Sequence, residues 1–217
     1  MKNILLKHLL FTRRSSPNIS QSGFSLIELT VITVIIGVLS AIAAAGWEGF
    51  TSRQQIRTVN DQVFQVLRSA QSDAKLKKKN INLTFRTQVD SSTGKNYFQY
   101  SLYDDGTDDN KKIWKTLDGG GSGSSIKPGQ IQISAYIIPD TGTASPIAKT
   151  SSSDSPLIFN YLGSSNTDKA VITVTTPYDT NANTNPNARR CIKVETLLGA
   201  MRSDRGSNCT FIAIPPN

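Results

Sequence analysis

One carboxylate stands inside the longest apolar stretch of the chain. The stretch runs over 24 residues from Phe24 to Trp47, and its only charged residue is Glu28. An unpaired carboxylate in hydrocarbon costs several kcal/mol, so it persists where another group compensates its charge. The sequence therefore predicts one of two arrangements: Glu28 has a cationic partner in an assembled state, or its side chain reaches the aqueous interface.

The two cysteines of the chain form the second candidate for chemistry. Cys191 and Cys209 enclose 17 residues near the C-terminus. If the segment after the apolar stretch is exported, it lies in an oxidising compartment, where a disulfide is the expected state. The chain-entropy model assigns such a bridge about 3 kcal/mol of stabilisation. The spacing is not CxxC, and we therefore predict a structural bridge and not a redox site.

Several arginines cluster around the cysteine loop. They are Arg189, Arg190, Arg202 and Arg205. Guanidinium groups bind phosphates without reading base sequence, so this cluster makes DNA a candidate partner. The alternative is a solvated basic edge that Glu195 and Asp204 neutralise, and the residue pattern alone leaves both interpretations open.

A group of aspartates lies between two strand-like runs. Its members are Asp104, Asp105, Asp108 and Asp109. Calcium takes oxygen ligands, which makes the group a candidate cation site. The spacing does not match an EF-hand, and Asp-Gly and Asp-Asn are ordinary hairpin residues. We expect no cofactor, with calcium at these aspartates as the alternative.

Enzymatic activity is not expected. The only histidine, His8, lies in the basic N-terminal segment, and no nucleophile–base set is recognisable in the remainder. Histidine-based triads and ordinary His/Cys metal sites therefore lack a histidine after residue 23.

The charge distribution indicates how the apolar stretch is oriented. The net charge of the chain is +8, and residues 1–23 contain four bases and no acid, so the remaining 20 bases and 16 acids leave +4. An apolar stretch of this length crosses about 30 Å of hydrocarbon as a helix. The basic leader predicts a cytoplasmic N-terminus and export of the C-terminal bulk.

The helical period continues beyond the apolar stretch. Apolar residues recur at steps of three and four from Ile56 to Ala74, with charged residues on the remaining surface. We predict one helix from about Phe24 to Leu76, with a membrane-spanning half (24–47) and an amphipathic half (48–79). Lysines in its last turn stabilise the helix, because its C-terminal carbonyl groups form the negative end of the helix dipole.

After Asn80 the pattern changes to a period of two, which is typical of strands. The predicted strand-like runs are 81–89, 97–103, 111–117, 131–138, 155–162, 169–176, 190–197 and 210–214. The polar runs 118–125 and 179–188 are predicted loops. The predicted fold class is therefore α+β: a long helix packed on an antiparallel sheet, with residues 80–217 as the β-rich head.

The junction Gly23-Phe24-Ser25-Leu26-Ile27-Glu28 resembles the class III signal of type IV prepilins and pseudopilins. A basic leader, a Gly-Phe junction, an acid five residues into the span and an apolar helix all coincide. The resemblance implies cleavage of the leader (1–23) after Gly23 by prepilin peptidase and N-methylation of Phe24. It also implies that Glu28 pairs with the Phe24 amine of an adjacent subunit.

The globular part is similar to the GspH/FimT group of minor pilins. The similarity rests on the segments 65–85, 157–163 and 192–202, in that order, and on the absence of proline from the span. It implies a structural minor subunit of a type IV pilus or a type II secretion pseudopilus. Other pilin subunits would be its partners, first in the inner membrane and then in an extracellular or periplasmic filament.

The same resemblance carries an alternative function, a filament-displayed DNA receptor for natural transformation. Some members of the group bind DNA through arginines around a C-terminal Gly-Arg-x-Arg motif. The corresponding stretch is Gly199-Ala200-Met201-Arg202, so the first arginine of the motif is missing.

Overall fold

The computed structural model describes residues 23, 25–117, 126–139, 144–148, 154–165, 169–177, 189–195 and 198–209. The chain divides into two compact units, Met1–Ala45 and Gly46–Asn217. We refer to the second as the globular unit.

A single helix, α1, runs from Leu26 to Lys77. The hydroxyl of Ser25 accepts a hydrogen bond from the Glu28 N–H at 3.2 Å, which caps the first turn. Lys78 adopts a positive φ of 52° directly after the last turn, the left-handed conformation that commonly ends helices. The helix therefore ends within one residue of the predicted position, and Phe24 lies outside the described residues.

In the first unit, the described side chains of the apolar helix are exposed. The window Leu26–Ala43 has a mean hydropathy of 2.4 and is 0% buried. By length and composition this helix can cross a membrane.

The globular unit contains two antiparallel sheets. Within the described residues the strands are β1 (Ile81–Val89), β2 (Asn96–Asp104), β3 (Lys115–Thr116), β4 (Gln132–Ile138), β5 (Ser145–Pro146), β6 (Leu157–Phe159), β7 (Lys169–Thr175), β8 (Arg190–Val194) and β9 (Met201–Arg205). The first sheet has the order β3-β2-β1-β6, and the second has the order β5-β4-β7-β8-β9.

One core joins the second half of α1 to both sheets. Helix residues at steps of three and four, such as Ile56, Val59 and Val63, are at most 1% exposed. They pack in one cluster with Leu83 of β1 and Ile172 of β7. The helical period in the sequence therefore marks the buried face of α1, as predicted.

Three strand predictions differ from the structure. The α+β class is confirmed, but the predicted single sheet is divided into two. Of the predicted strand 111–117, only Lys115–Thr116 forms a strand, β3, and Lys111 is the last residue of a 3-10 helix, Asp109–Lys111. Strand β9 was not predicted, because only Met201 in its sequence MRSDR is apolar. The predicted strand 210–214 and the predicted loops 118–125 and 179–188 lie outside the described residues.

Candidate functional site

The start of α1 carries the predicted processing and assembly residues. Gly23 is exposed and has no heavy atom within 4 Å of the position that a Cβ would take. Glu28 lies in the first helical turn with its side chain exposed, where a carboxylate favours the positive end of the helix dipole. The cleavage at Gly23 and the roles of Phe24 and Glu28 stay predictions.

The predicted disulfide is formed. Cys191 of β8 is bonded to Cys209, which ends a short 3-10 helix (Gly206–Cys209), and their Cα atoms are 5.6 Å apart. The bridge packs against Val171 and Ile138 in a small apolar cluster on the face of the sheet that points away from α1. It therefore ties the segment after β9 to the middle of the second sheet.

The arginines around the bridge do not form one surface. In β9, Arg202 lies on the face that points away from α1, and its Nη2 contacts the carboxylates of Glu195 at 2.9 Å and Asp204 at 3.0 Å. Asp204 also contacts the buried Lys193 at 3.3 Å. Arg202 is thus part of a neutralised network, which is the alternative that the sequence left open.

The remaining three arginines are placed differently from Arg202. Arg189 is only 8% exposed, so its side chain has little surface to offer a ligand. Arg190 and Arg205 lie directly opposite each other in β8 and β9. The side chains of Arg205 and Ser203 share one face of β9, because alternate residues of a strand point to the same side. That face packs on α1, since Asn60 donates a hydrogen bond to the Ser203 hydroxyl at 3.1 Å.

A helix residue that sequence reasoning missed, Arg57, lies near Arg190 and Arg205. The pKa of Arg190 is lowered first by burial and then by the charge of Arg57, with Arg205 acting in the same direction and Asp61 opposing it. Arg57 is 133 positions away from Arg190 in the sequence, and no local pattern could have joined them. DNA contact by Arg189, Arg190, Arg202 and Arg205 stays a prediction.

Three of the four candidate calcium ligands contact lysines, and the fourth, Asp105, is exposed. Asp104 contacts Lys77 at 3.7 Å and Lys79 at 3.4 Å. Further along, Asp108 pairs with Lys111 at 2.9 Å and Asp109 with Lys112 at 2.7 Å. Across the part of the chain that the structure describes, no three Asp, Glu, His or Cys residues are grouped so that they could hold a metal ion. Calcium at these aspartates stays an alternative; Asp104, Asp108 and Asp109 each contact at least one lysine ammonium group.

One of these lysines belongs to a buried polar network. The side chain of Lys112 is 4% exposed and also contacts the carboxylate of Asp154, which is 18% exposed. Asp154 accepts further hydrogen bonds from the Thr84 hydroxyl at 3.0 Å and the Tyr103 hydroxyl at 2.9 Å. The network connects β1 and β2 to the segments that precede β3 and β6.

The network shifts the pKa values of its members. Burial opposes ionisation of Asp154, but hydrogen bonds from Lys112, Tyr103 and Thr84 outweigh it and lower the pKa of Asp154. Burial first, and then the hydrogen bond to Asp154, raises the pKa of Tyr103 to about 12. The charged form of Asp154 and the neutral form of Tyr103 are thus the forms that the fold favours.

Comparison with known proteins assigns the chain to a family by sequence similarity. No protein-family model matches the chain. Two fimbrial proteins of Pseudomonas aeruginosa are each 34% identical to it over 128 residues, which is 53% of this chain and 79% of each relative. The chain belongs to the type IV pilin-like family of fimbrial proteins.

A solved structure was also compared. The minor pseudopilin EpsH from the type 2 secretion system of Vibrio cholerae aligns over 70% of this chain and 97% of its own length, at 12% identity and a TM-score of 0.34. A score of this size adds nothing to the assignment.

Proposed function

We propose that this protein is a structural minor subunit of a type IV pilus or a type II secretion pseudopilus, of the GspH/FimT type. One observation carries the proposal: in a chain that belongs to the fimbrial protein family, the helix window Leu26–Ala43 has a mean hydropathy of 2.4 and is 0% buried. Such a surface requires either lipid or other apolar helices around it.

The N-terminal helix would serve in both environments. Before assembly it anchors the subunit in the inner membrane, because every backbone polar group of a helix is satisfied within the segment. During assembly it moves from lipid into a bundle of equivalent helices, so its apolar surface remains dry. Small residues such as Gly37, Ser40 and Ala41 permit close approach of neighbouring helices.

Glu28 would set the register of assembly. Prepilin peptidase would remove residues 1–23 and leave the amine of Phe24 as the new N-terminus, which is then methylated. A carboxylate without a partner is unfavourable in an apolar bundle, and removing one partner of a buried ion pair costs roughly 3–5 kcal/mol. Pairing of Glu28 with the Phe24 amine of an adjacent subunit would therefore favour one axial position over all others.

Intact-mass analysis of the protein from its native host tests the proposal. We expect the chain in sheared filaments to begin at N-methylated Phe24 and to gain two reactive thiols only after reduction. The control is the same host without its prepilin peptidase, in which residues 1–23 should remain. A chain that retains residues 1–23 while the peptidase is active would overturn the filament role, because the span would then be a simple anchor.

A further inference from the structure

Two arginines occupy directly opposed positions in the second sheet. Arg190 of β8 and Arg205 of β9 are cross-strand partners, and both side chains lie on the face that packs on α1. Like charges at directly opposed positions destabilise a sheet. The other opposed basic pair of these strands, Lys193 and Arg202, has the carboxylates of Asp204 and Glu195 beside it, which is what a pair that only maintains the fold is expected to have.

A third guanidinium is brought to the pair by α1. The Asn60–Ser203 hydrogen bond fixes the helix over β9, and Arg57 lies one turn before Asn60. Asn60 contacts Ser203 and Gln71 contacts Gly199, so α1 and β9 run in opposite directions. Arg57, one turn before Asn60, therefore lies toward the Arg205 end of the strand. Arg57 and Arg205 are exposed and Arg190 is half-buried, so the cluster is accessible.

The cluster lacks the neutralisation seen on the opposite face of the sheet. There, Arg202 contacts two carboxylates. Among the described residues, none of the ion pairs within 4.0 Å involves Arg57, Arg190 or Arg205. Within the part of the chain that the structure describes, Asp61 is the one acid that acts on Arg190, against two arginines that act in the opposite direction.

We propose that Arg57, Arg190 and Arg205 form a docking site for a carboxylate-rich segment of a different filament subunit. This inference rests on the proposed function. Three guanidinium forks in one compact cluster match two or three carboxylate groups in bidentate geometry. Binding would remove the repulsion that the cluster carries in the free subunit.

A protein segment fits this site better than a nucleic acid. Phosphodiester binding depends on cations placed along the backbone of the ligand. The other two arginines of this region do not extend the cluster, since Arg189 is buried and Arg202 lies on the opposite face. Among the described arginines, only Arg53, exposed four positions before Arg57 on α1, is placed to extend the cluster, so the cluster is shorter than the row of cations that follows a phosphodiester backbone.

The partner is a different subunit because a second copy of this chain is also basic. Residues 24–217 contain 20 bases and 16 acids, a net charge of +4, and most of the described acids of the globular unit are already in ion pairs. A second copy would therefore approach the cluster with a like net charge. A subunit with an acidic segment would supply the carboxylates.

Photo-cross-linking in intact filaments tests the proposal. A benzophenone amino acid replaces Gln54, an exposed position one turn before Arg57, in the full chain expressed in its native host. We expect a cross-linked peptide from another filament subunit that contains at least two Asp or Glu residues. Because loss of interfacial charge pairs speeds dissociation of a complex, the yield should fall at least about tenfold in the Arg190→Gln/Arg205→Gln variant.

Two controls separate docking from folding. Arg202→Gln removes a guanidinium from the opposite face and should leave the yield unchanged. The Arg190→Gln/Arg205→Gln variant loses a repulsive pair, so it should melt no lower than the parent. If it melts lower, Arg57→Gln on the exposed helix surface replaces it and should show the same loss of cross-linking.

The outcomes are distinct. A cross-link that is insensitive to the arginine variants, a partner peptide without carboxylates, a product that nuclease releases, or no cross-link in filaments that contain the processed chain would each overturn the docking site. Absence of the processed chain from filaments would instead overturn the proposed function.

Discussion

At the scale of the residue, the buried ammonium group of Lys112 links the segment before β3 to the segment before β6. Its ammonium group contacts Asp109 and Asp154 and lies 4.1 Å from the centre of the Tyr103 ring. Removing one partner of a buried ion pair leaves the other uncompensated. The carboxylate of Asp154 is therefore expected to matter more than those of exposed pairs in the same segment.

Replacement of Asp154 tests this expectation. Asp154→Asn keeps the size and the acceptor oxygen but removes the charge, and we expect the free energy of unfolding to fall by about 2 kcal/mol, since Asp109 remains beside Lys112. The matched control is Asp108→Asn, which breaks an exposed pair with Lys111 and should cost less than about 0.5 kcal/mol. Urea denaturation of both variants measures the difference, and equal losses would contradict the role of Asp154.

The hydroxyl of Tyr103 predicts a loss of stability at alkaline pH. Its pKa is raised from 10.0 to about 12 in the folded state, so the folded protein keeps a proton that the unfolded chain releases. Its contribution to stability is complete below about pH 10 and is lost as the pH rises toward 12.

Tyr103→Phe should remove this part of the pH dependence. The variant is less stable at neutral pH because Asp154 loses a hydrogen bond, but its free energy of unfolding should fall less steeply between pH 9.5 and about 11.5. Tyr161→Phe, which removes a hydroxyl at an exposed tyrosine, is the matched control variant. Chemical denaturation over this range gives the slopes, and parallel curves for the parent and Tyr103→Phe would show that Tyr103 does not titrate as expected.

At the scale of elements, one side chain of α1 joins the two sheets. The Nε2 of Gln71 donates to the carbonyl oxygens of Gly163 at 2.7 Å and Gly199 at 3.2 Å. Gly163 follows β6 of the first sheet, and Gly199 precedes β9 of the second. The close approach of these turns leaves no room for a side chain at Gly199.

Gly199→Ala should be more destabilising than an alanine at a comparable open turn. Gly199 has a φ of +74°, and an added Cβ would lie 2.5 Å from the Gly163 carbonyl oxygen and 2.6 Å from the Gln71 Nε2. Gly106 has a similar φ of +78° with no atom within 4 Å. Gly106→Ala should therefore cost only the strain of a left-handed backbone conformation in a residue with a Cβ, about 1–2 kcal/mol.

Gly199→Ala adds a steric clash to the same backbone strain. We therefore expect its free energy of unfolding to fall by roughly a further 1–3 kcal/mol. Thermal melts of the two variants provide the comparison. Equal melting temperatures would mean that the two turns separate readily and that the Gln71 contact does not hold them.

At the scale of the whole molecule, the core and the apolar helix belong to different units. The buried hydrophobic residues among those described all follow residue 55, whereas the side chains of the Leu26–Ala43 window are exposed. The globular unit, Gly46–Asn217, thus contains the core that the structure describes. Its stability should not depend on the first unit.

A fragment that comprises residues 46–217 should fold without detergent. We expect a monomer in gel filtration and one cooperative unfolding transition, because its core is complete. The full chain is the control, and it should need detergent to remain dispersed since its apolar span is exposed. A fragment that aggregates or melts without cooperativity would show that the first unit contributes to the fold.

The sequence by itself determined the features that depend on local periodicity. A period of three to four residues marked the buried face of α1 from Ile56 to Ala74, and a period of two marked β1 and β2 to within one residue at each end. The apolar span and the acid within it also followed from composition alone. These signals are readable because one helix or strand segment holds all the residues that produce them.

Only the tertiary structure decided the features that depend on strand pairing and on contacts between distant segments. It divided the strands into two sheets, added the polar strand β9, and directed Arg202 and Arg205 to opposite faces. It also brought Arg57 to Arg190 and turned the aspartates toward lysines. Strand register sets which face each side chain occupies, and register is fixed by the whole sheet, so the arginines that looked like one patch in the sequence belong to two surfaces.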